Sequence, residues 1–85
     1  MIKPKNDGSD EKIGVGGRVA NRRRQKNFTQ ARLSALSGVP LSTLKNIERG
    51  ATKEPHPPTL DLLAQTLDID PGWLRTGDGL PIRKV

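Results

Sequence analysis

Glycine and proline divide residues 15–77 of this chain into short segments, and no segment has room for more than a brief helix. Gly38, Gly50 and Gly77 stand where helices stop, and Pro40, Pro71 and the cluster Pro55, Pro57 and Pro58 stand between segments. Three prolines in four residues make 51–58 an extended connection and exclude a helix there. The first helical pattern begins near Val15 and runs to about Lys26, with Val15, Val19 and Ala20 as its apolar residues and a break at Asn27. Thr29 is placed to cap a second helix, Gln30 to Ser37, and Gly38 to end it in the left-handed conformation. Pro40 is expected in the first turn of a third helix, Leu41 to Arg49, closed by Gly50. Thr59 is expected to cap a fourth, 60–67, with Asp61 in its positive first turn and Leu60, Leu63, Ala64 and Leu67 on one stripe. Asp70 followed by Pro71 opens a fifth, which carries Trp73 and Leu74 and ends at Gly77. No stretch alternates with the period of a strand, so the expected class is all-α.

Charge adds a second constraint. Residues 12–53 hold ten Lys or Arg and one acid, Glu48, a net of +9, whereas 54–85 hold three bases and five acids, a net of −2. Residues 1–11 are close to neutral. A basic field confined to one block suits an anionic polymer, because each phosphate neutralised releases counterions. The chain has no cysteine, so disulfides and thiolate zinc sites are excluded, and a single histidine, His56, excludes a multi-histidine metal site. No cofactor is expected. No apolar run approaches a membrane span, and nothing after Met1-Ile2-Lys3 resembles a signal peptide, so a soluble intracellular protein with an unprocessed N-terminus is expected.

Residues 1–13 mix charge, glycine and proline without periodicity and read as a flexible arm; 14–77 form the domain and 78–85 a tail. The functional unit within the domain is helix, tight turn, helix over "TQARLSALSGVPLSTLKNIERG", 29–50. Two helices joined by a short turn containing glycine are the arrangement that lays a second helix in a DNA major groove. Small residues belong where the helices cross, and Ala31 and Ser34 are small. Phe28, Leu33, Val39, Leu44, Ile47, Leu60, Leu63, Leu67, Trp73 and Leu74 are assigned to the core.

Over about residues 15–77 the chain resembles the helix-turn-helix domains of phage repressors and Cro-like regulators, the lambda repressor-like family. The resemblance rests on "TQARL" at 29–33, "SGV" at 37–39, "STLKNIERG" at 42–50, the proline connection at 55–58 and "LDIDPGWLRTGDG" at 67–79. It implies a compact five-helix domain. It also implies sequence-specific binding of double-stranded DNA by a transcriptional regulator, a repressor in type, with helix 41–49 in the major groove. Two half-sites need two copies, so a homodimer on a palindromic operator follows, with Trp73 to Val85 as the candidate dimer patch. The expected setting is the cytoplasm, nucleoid-associated, of a bacterial or phage-encoded protein.

By position, the resemblance makes Leu41, Ser42, Lys45 and Asn46 the base-contacting residues. The chemistry agrees: Asn can pair with adenine, Lys can donate to guanine, Ser is permissive, and Leu41 either meets a thymine methyl or packs on the turn. Gln30, Arg23, Arg24, Thr43, Arg49 and Lys53 are the expected phosphate contacts, Gln30 through its amide beside the first-turn N–H groups. Arg23 and Glu48 match a structural ion pair between the first and third helices. The family usually has Leu at the position of Arg22, facing the core. Here either the Arg22 stem packs and its head reaches out, or the helix is rotated.

Other functions fit the residues less well. An antitoxin-like interaction module with secondary DNA binding is the main alternative, but only about eight residues follow Gly77 to meet a partner. A non-specific RNA binder wants exposed aromatics, and Phe28 and Trp73, both assigned to the core, are the only two. Catalysis needs a nucleophile with its base or a metal set, and His56 in a proline loop has no evident partner. Neither a membrane nor a small-molecule ligand is indicated.

Overall fold

The computed structural model describes residues 14–52 and 54–81. They form five helices, α1 (Val15–Gln25), α2 (Gln30–Ser37), α3 (Leu41–Glu48), α4 (Pro57–Leu67) and α5 (Pro71–Thr76), and no strand runs through the described residues. The all-α five-helix architecture expected from the punctuation is the one formed. The arm at 1–13, Lys53 and the last four positions of the tail lie outside the described residues. No helix among the described residues is long and apolar enough to cross a membrane.

Most helix ends follow the expected cap chemistry. Thr29 Oγ1 accepts from the Arg32 N–H at 3.0 Å, and Asp70 Oδ2 accepts from the Trp73 N–H at 2.8 Å. Each satisfies one of the first-turn donors that a helix leaves unpaired. Lys26 and Arg49 lie one residue beyond α1 and α3 as cap residues, and Pro40 precedes α3 as its cap instead of entering its first turn.

The fourth helix differs from expectation. It begins at Pro57, capped by His56, and Thr59 is not its cap. Prolines 57 and 58 were expected to exclude helix, but first-turn residues have no intrahelical acceptor for their N–H, so proline there loses nothing and its fixed φ favours the helix. Asp61 consequently sits beyond the first turn, which contains no acid. The extended connection is correspondingly shorter.

The core forms where all five helices meet. α1 packs against α3, α4 and α5, α2 against α3 and α4, and α4 against α5. Val19, Leu33, Leu44, Leu63, Leu67 and Leu74 are fully buried. Burying each such side chain contributes about 1.5–3 kcal/mol. Phe28 and Trp73 are only partly buried and pack on the edge of this cluster. Ile69, between α4 and α5, is a core residue that the helical pattern did not identify, because it lies in a connection. A second unforeseen feature is Gly16. A Cβ built there would overlap the Ile47 carbonyl oxygen and come within 3.0 Å of the Glu48 carbonyl oxygen, so α1 crosses the end of α3 with backbone nearly against backbone.

Arg22 settles its own alternatives. Its side chain is half-buried and Nε donates to the Leu67 carbonyl at the end of α4 at 3.1 Å, while a terminal nitrogen donates to Gln25 Oε1 at 3.1 Å. Val15, Gly16, Val19 and Ala20 form the buried side of α1, so the Arg22 stem packs at the margin of that side and its head satisfies a helix-end carbonyl. Arg18 acts likewise on α5. Its Nε donates to the Leu74 carbonyl at 2.8 Å and a terminal nitrogen to the Arg75 carbonyl at 2.9 Å. Burial pushes the Arg18 guanidinium pKa down, opposed by nearby Asp78.

Candidate nucleic-acid interface

The turn between α2 and α3 is held by two serines and a glycine. Gly38 adopts φ +82°, which closes α2 in the left-handed conformation, and its N–H donates to the Ser34 carbonyl at 3.0 Å. Ser37 Oγ accepts from the Val39 N–H at 3.1 Å and the Ser34 hydroxyl donates to the Val39 carbonyl at 2.6 Å. Both polar groups of the Val39 backbone are thus satisfied, which lets its side chain enter the core at 2% exposure. The direction in which α3 leaves the turn follows from these bonds.

α3 has two unlike sides. Leu44 and Ile47 are buried against the core. Ser42, Lys45 and Arg49 are exposed, Asn46 is half-buried, and their spacing of three and four residues puts all four on one outward face. Leu41 and Thr43 are half-buried at the start of the helix, and Pro40 beside them is exposed. Of the expected base-contacting residues, the structure therefore brings Ser42, Lys45 and Asn46 together on one surface, with Leu41 at its edge.

Behind that face three elements converge on one carboxylate. Arg23 from α1 meets Glu48 from α3 through two parallel contacts, Nε to Oε2 at 2.7 Å and a terminal nitrogen to Oε1 at 3.0 Å. The two side chains are 12% and 7% exposed. Gln30, the first residue of α2, donates through Nε2 to Glu48 Oε1 at 3.0 Å. Arg23 also donates from its other terminal nitrogen to the Phe28 carbonyl at 2.8 Å. A largely buried ion pair is kept by such complete pairing, because desolvation opposes the Coulomb attraction. Glu48 thereby fixes α1, α2 and α3 relative to one another at the end of α3.

The expected phosphate residues differ in how many donors they keep. Arg23 uses three of its five N–H groups on Glu48 and Phe28, leaving two for any outside acceptor. Gln30 uses one hydrogen of its amide nitrogen on Glu48 and keeps the other. Arg24 and Arg49 are exposed, and Arg49 folds back so that its Nε donates to Asn46 Oδ1 at 3.1 Å. That last contact was not foreseen from the sequence. The spacing of three residues made it possible, but only the rotamers show which groups meet.

A model of the helix-turn-helix family matches residues 19–74. Three solved structures are similar to this chain. The P22 c2 repressor in complex with a synthetic operator has a TM-score of 0.71 and 30% identity, covering 78% of this chain and 98% of that one. The N-terminal DNA binding domain of SinR from Bacillus subtilis has a TM-score of 0.69 and 28% identity, covering 71% of this chain and 87% of that one. SinR, the master regulator for biofilm formation, in complex with DNA has the same score and identity, covering 71% of this chain and 95% of that one. A comparison with curated proteins gives no match.

Proposed function

The chain belongs to the helix-turn-helix family, and on that premise we propose that it binds double-stranded DNA sequence-specifically as a transcriptional repressor, in the form of a homodimer on a palindromic operator. The observation that carries this reading is the two-sided α3. Its apolar side is locked by Leu44 and Ile47, and its outward side gathers Ser42, Lys45 and Asn46 away from the core. A helix so held can be pressed into a major groove without deforming the domain. The exposed Arg24 and the remaining amide hydrogen of Gln30 supply phosphate donors on flanking elements, with Thr43 at the first turn of α3. Leu41 at the edge of the face is placed for apolar contact.

Repressor action draws on the likeness to the P22 c2 repressor, whose structure is a complex with an operator. A single copy of α3 spans too few base pairs for useful selectivity, which favours two copies on two half-sites about one helical turn apart. Selection of bound duplexes from a random pool at two salt concentrations tests the proposal. A palindromic motif that survives the higher salt supports both specificity and dimerisation. A pool that shows no enrichment overturns the assignment.

A further inference from the structure

Asn46 is able to read adenine only when both ends of its amide are available, the oxygen accepting from the adenine amine and the nitrogen donating to N7. In this structure the oxygen already accepts from a guanidinium, which occupies one of its two lone pairs and sets a cation's donors beside it. Arg49 Nε donates to Asn46 Oδ1 at 3.1 Å. The amide orientation is dictated by its partner, because a guanidinium has no acceptor to offer and only the oxygen can satisfy it. The end of Asn46 that this contact leaves unengaged is its nitrogen, a donor.

The rest of the exposed face agrees in kind. Lys45 is exposed and carries donors only. Arg49 has one N–H on Asn46 and four more on its two terminal nitrogens. Ser42 can donate or accept and opposes neither. In the major groove guanine shows two adjacent acceptors, N7 and O6, whereas adenine shows an acceptor beside a donor. A face built from donors matches guanine and sets donor against donor at adenine. Pinning Nε also fixes the plane of the guanidinium, so the flexible Arg49 side chain needs less ordering when it meets a base.

Resting on the proposed DNA-binding function, we infer that α3 selects guanine, with Arg49 making the paired contact to O6 and N7 and Asn46 acting as the positioning residue that aims it. Arg49, expected from the sequence to contact phosphate, is then a specificity residue.

The test starts from the site selected for the wild-type protein and replaces each guanine in turn by adenine. For wild type, one such change weakens binding by about tenfold or more. Asn46→Asp keeps the oxygen that holds Arg49, so it lowers overall affinity but preserves that ratio. Asn46→Ala and Arg49→Ala both reduce the ratio to about threefold or less. 7-Deazaguanine at the same position, which lacks N7, weakens wild type and leaves Arg49→Ala nearly unaffected. An Asn46-dependent preference for adenine, lost equally in Asn46→Asp and Asn46→Ala, overturns the inference while leaving the DNA-binding function intact. So does a guanine preference that survives Arg49→Ala. A pool with no enriched motif overturns the function and the inference with it.

Discussion

Arg18 reaches from the first helix to the end of the last, where its Nε lies 2.8 Å from the carbonyl oxygen of Leu74. The adjacent carbonyl of Arg75 receives a second N–H at 2.9 Å. The last carbonyls of a helix have no partner within it, and a six-residue helix such as α5 has little else to hold it. Arg18→Ala is therefore expected to lower stability by about 1–2 kcal/mol, read as a fall in Tm of several degrees. Arg18→Lys restores only part of this, since one ammonium cannot match the fork of a guanidinium. Gly77→Ala should be destabilising as well, because φ is +84° there and the new Cβ would stand 3.0 Å from an Arg18 terminal nitrogen. When Arg18→Ala and Gly77→Ala are combined, the part of the loss due to the Cβ contact should vanish while the part due to the positive φ remains.

Glu48 is the acceptor for two N–H groups of Arg23 and one of Gln30. Glu48→Ala leaves the largely buried guanidinium without its counter-charge and is expected to cost about 3 kcal/mol in urea denaturation. Replacing both partners, Arg23→Met with Glu48→Leu, should recover most of that loss, as apolar pairs of similar volume commonly do. The recovered protein lacks both the acceptor for Gln30 and the guanidinium of Arg23, so its DNA affinity should fall short of wild type by more than its stability does. Equal recovery of stability and affinity would show that neither the Glu48–Gln30 contact nor the Arg23 guanidinium contributes to binding.

Gly16 sets the distance between α1 and α3. Gly16→Ala would drive a methyl group into the backbone of Ile47, which cannot yield as a side chain does. A destabilisation of about 1–3 kcal/mol is expected. Because α3 is the element displaced, affinity for the selected DNA site should fall by more than the change in folded fraction explains. The measurement is a binding isotherm taken well below the variant's Tm.

Gln30→Ala and Arg24→Ala should weaken binding to the selected site and to random DNA alike. Arg24→Ala should make the slope of log K against log salt shallower by about 0.9 for the phosphate no longer neutralised, whereas Gln30→Ala, which removes a neutral donor, should leave the slope unchanged. Lys45→Ala should weaken the selected site far more than random DNA. An equal effect of Lys45→Ala on both would place Lys45 against the backbone instead of the bases.

The sequence revealed those parts of the fold that depend on neighbours along the chain. Thr29 and Asp70 cap the helices they were assigned to, and Gly38 adopts the left-handed turn, because a cap or a turn is a matter of three or four consecutive residues. Prolines 57 and 58 misled for the same reason: a proline cluster reads equally as a break or as a first turn, and tertiary packing of Leu60 decides which. Contacts between distant segments were less legible. The run of arginines at 22–24 showed charge but not direction, and Arg22 turns out to satisfy a carbonyl of α4 instead of facing a partner. As the lone acid in a basic block Glu48 pointed to a specific partner, and the family resemblance implied that the partner is Arg23. Gln30 on the same carboxylate could not be, since a neutral amide leaves no trace in the charge pattern. Nothing along the chain marks Gly16 as the residue that α3 lies across.

The two sides of α3 also bear on how such a domain changes over generations. Leu44 and Ile47 commit the helix to the core, while on the outward side Ser42 and Lys45 lie exposed and Asn46 and Arg49 bond to each other. Substitutions at those four positions therefore change the outward surface with little effect on folding and, on the proposed function, change what is recognised. The scaffold and its vocabulary can drift independently, and a new target is reachable through single exchanges that never pass through an unfolded intermediate sequence.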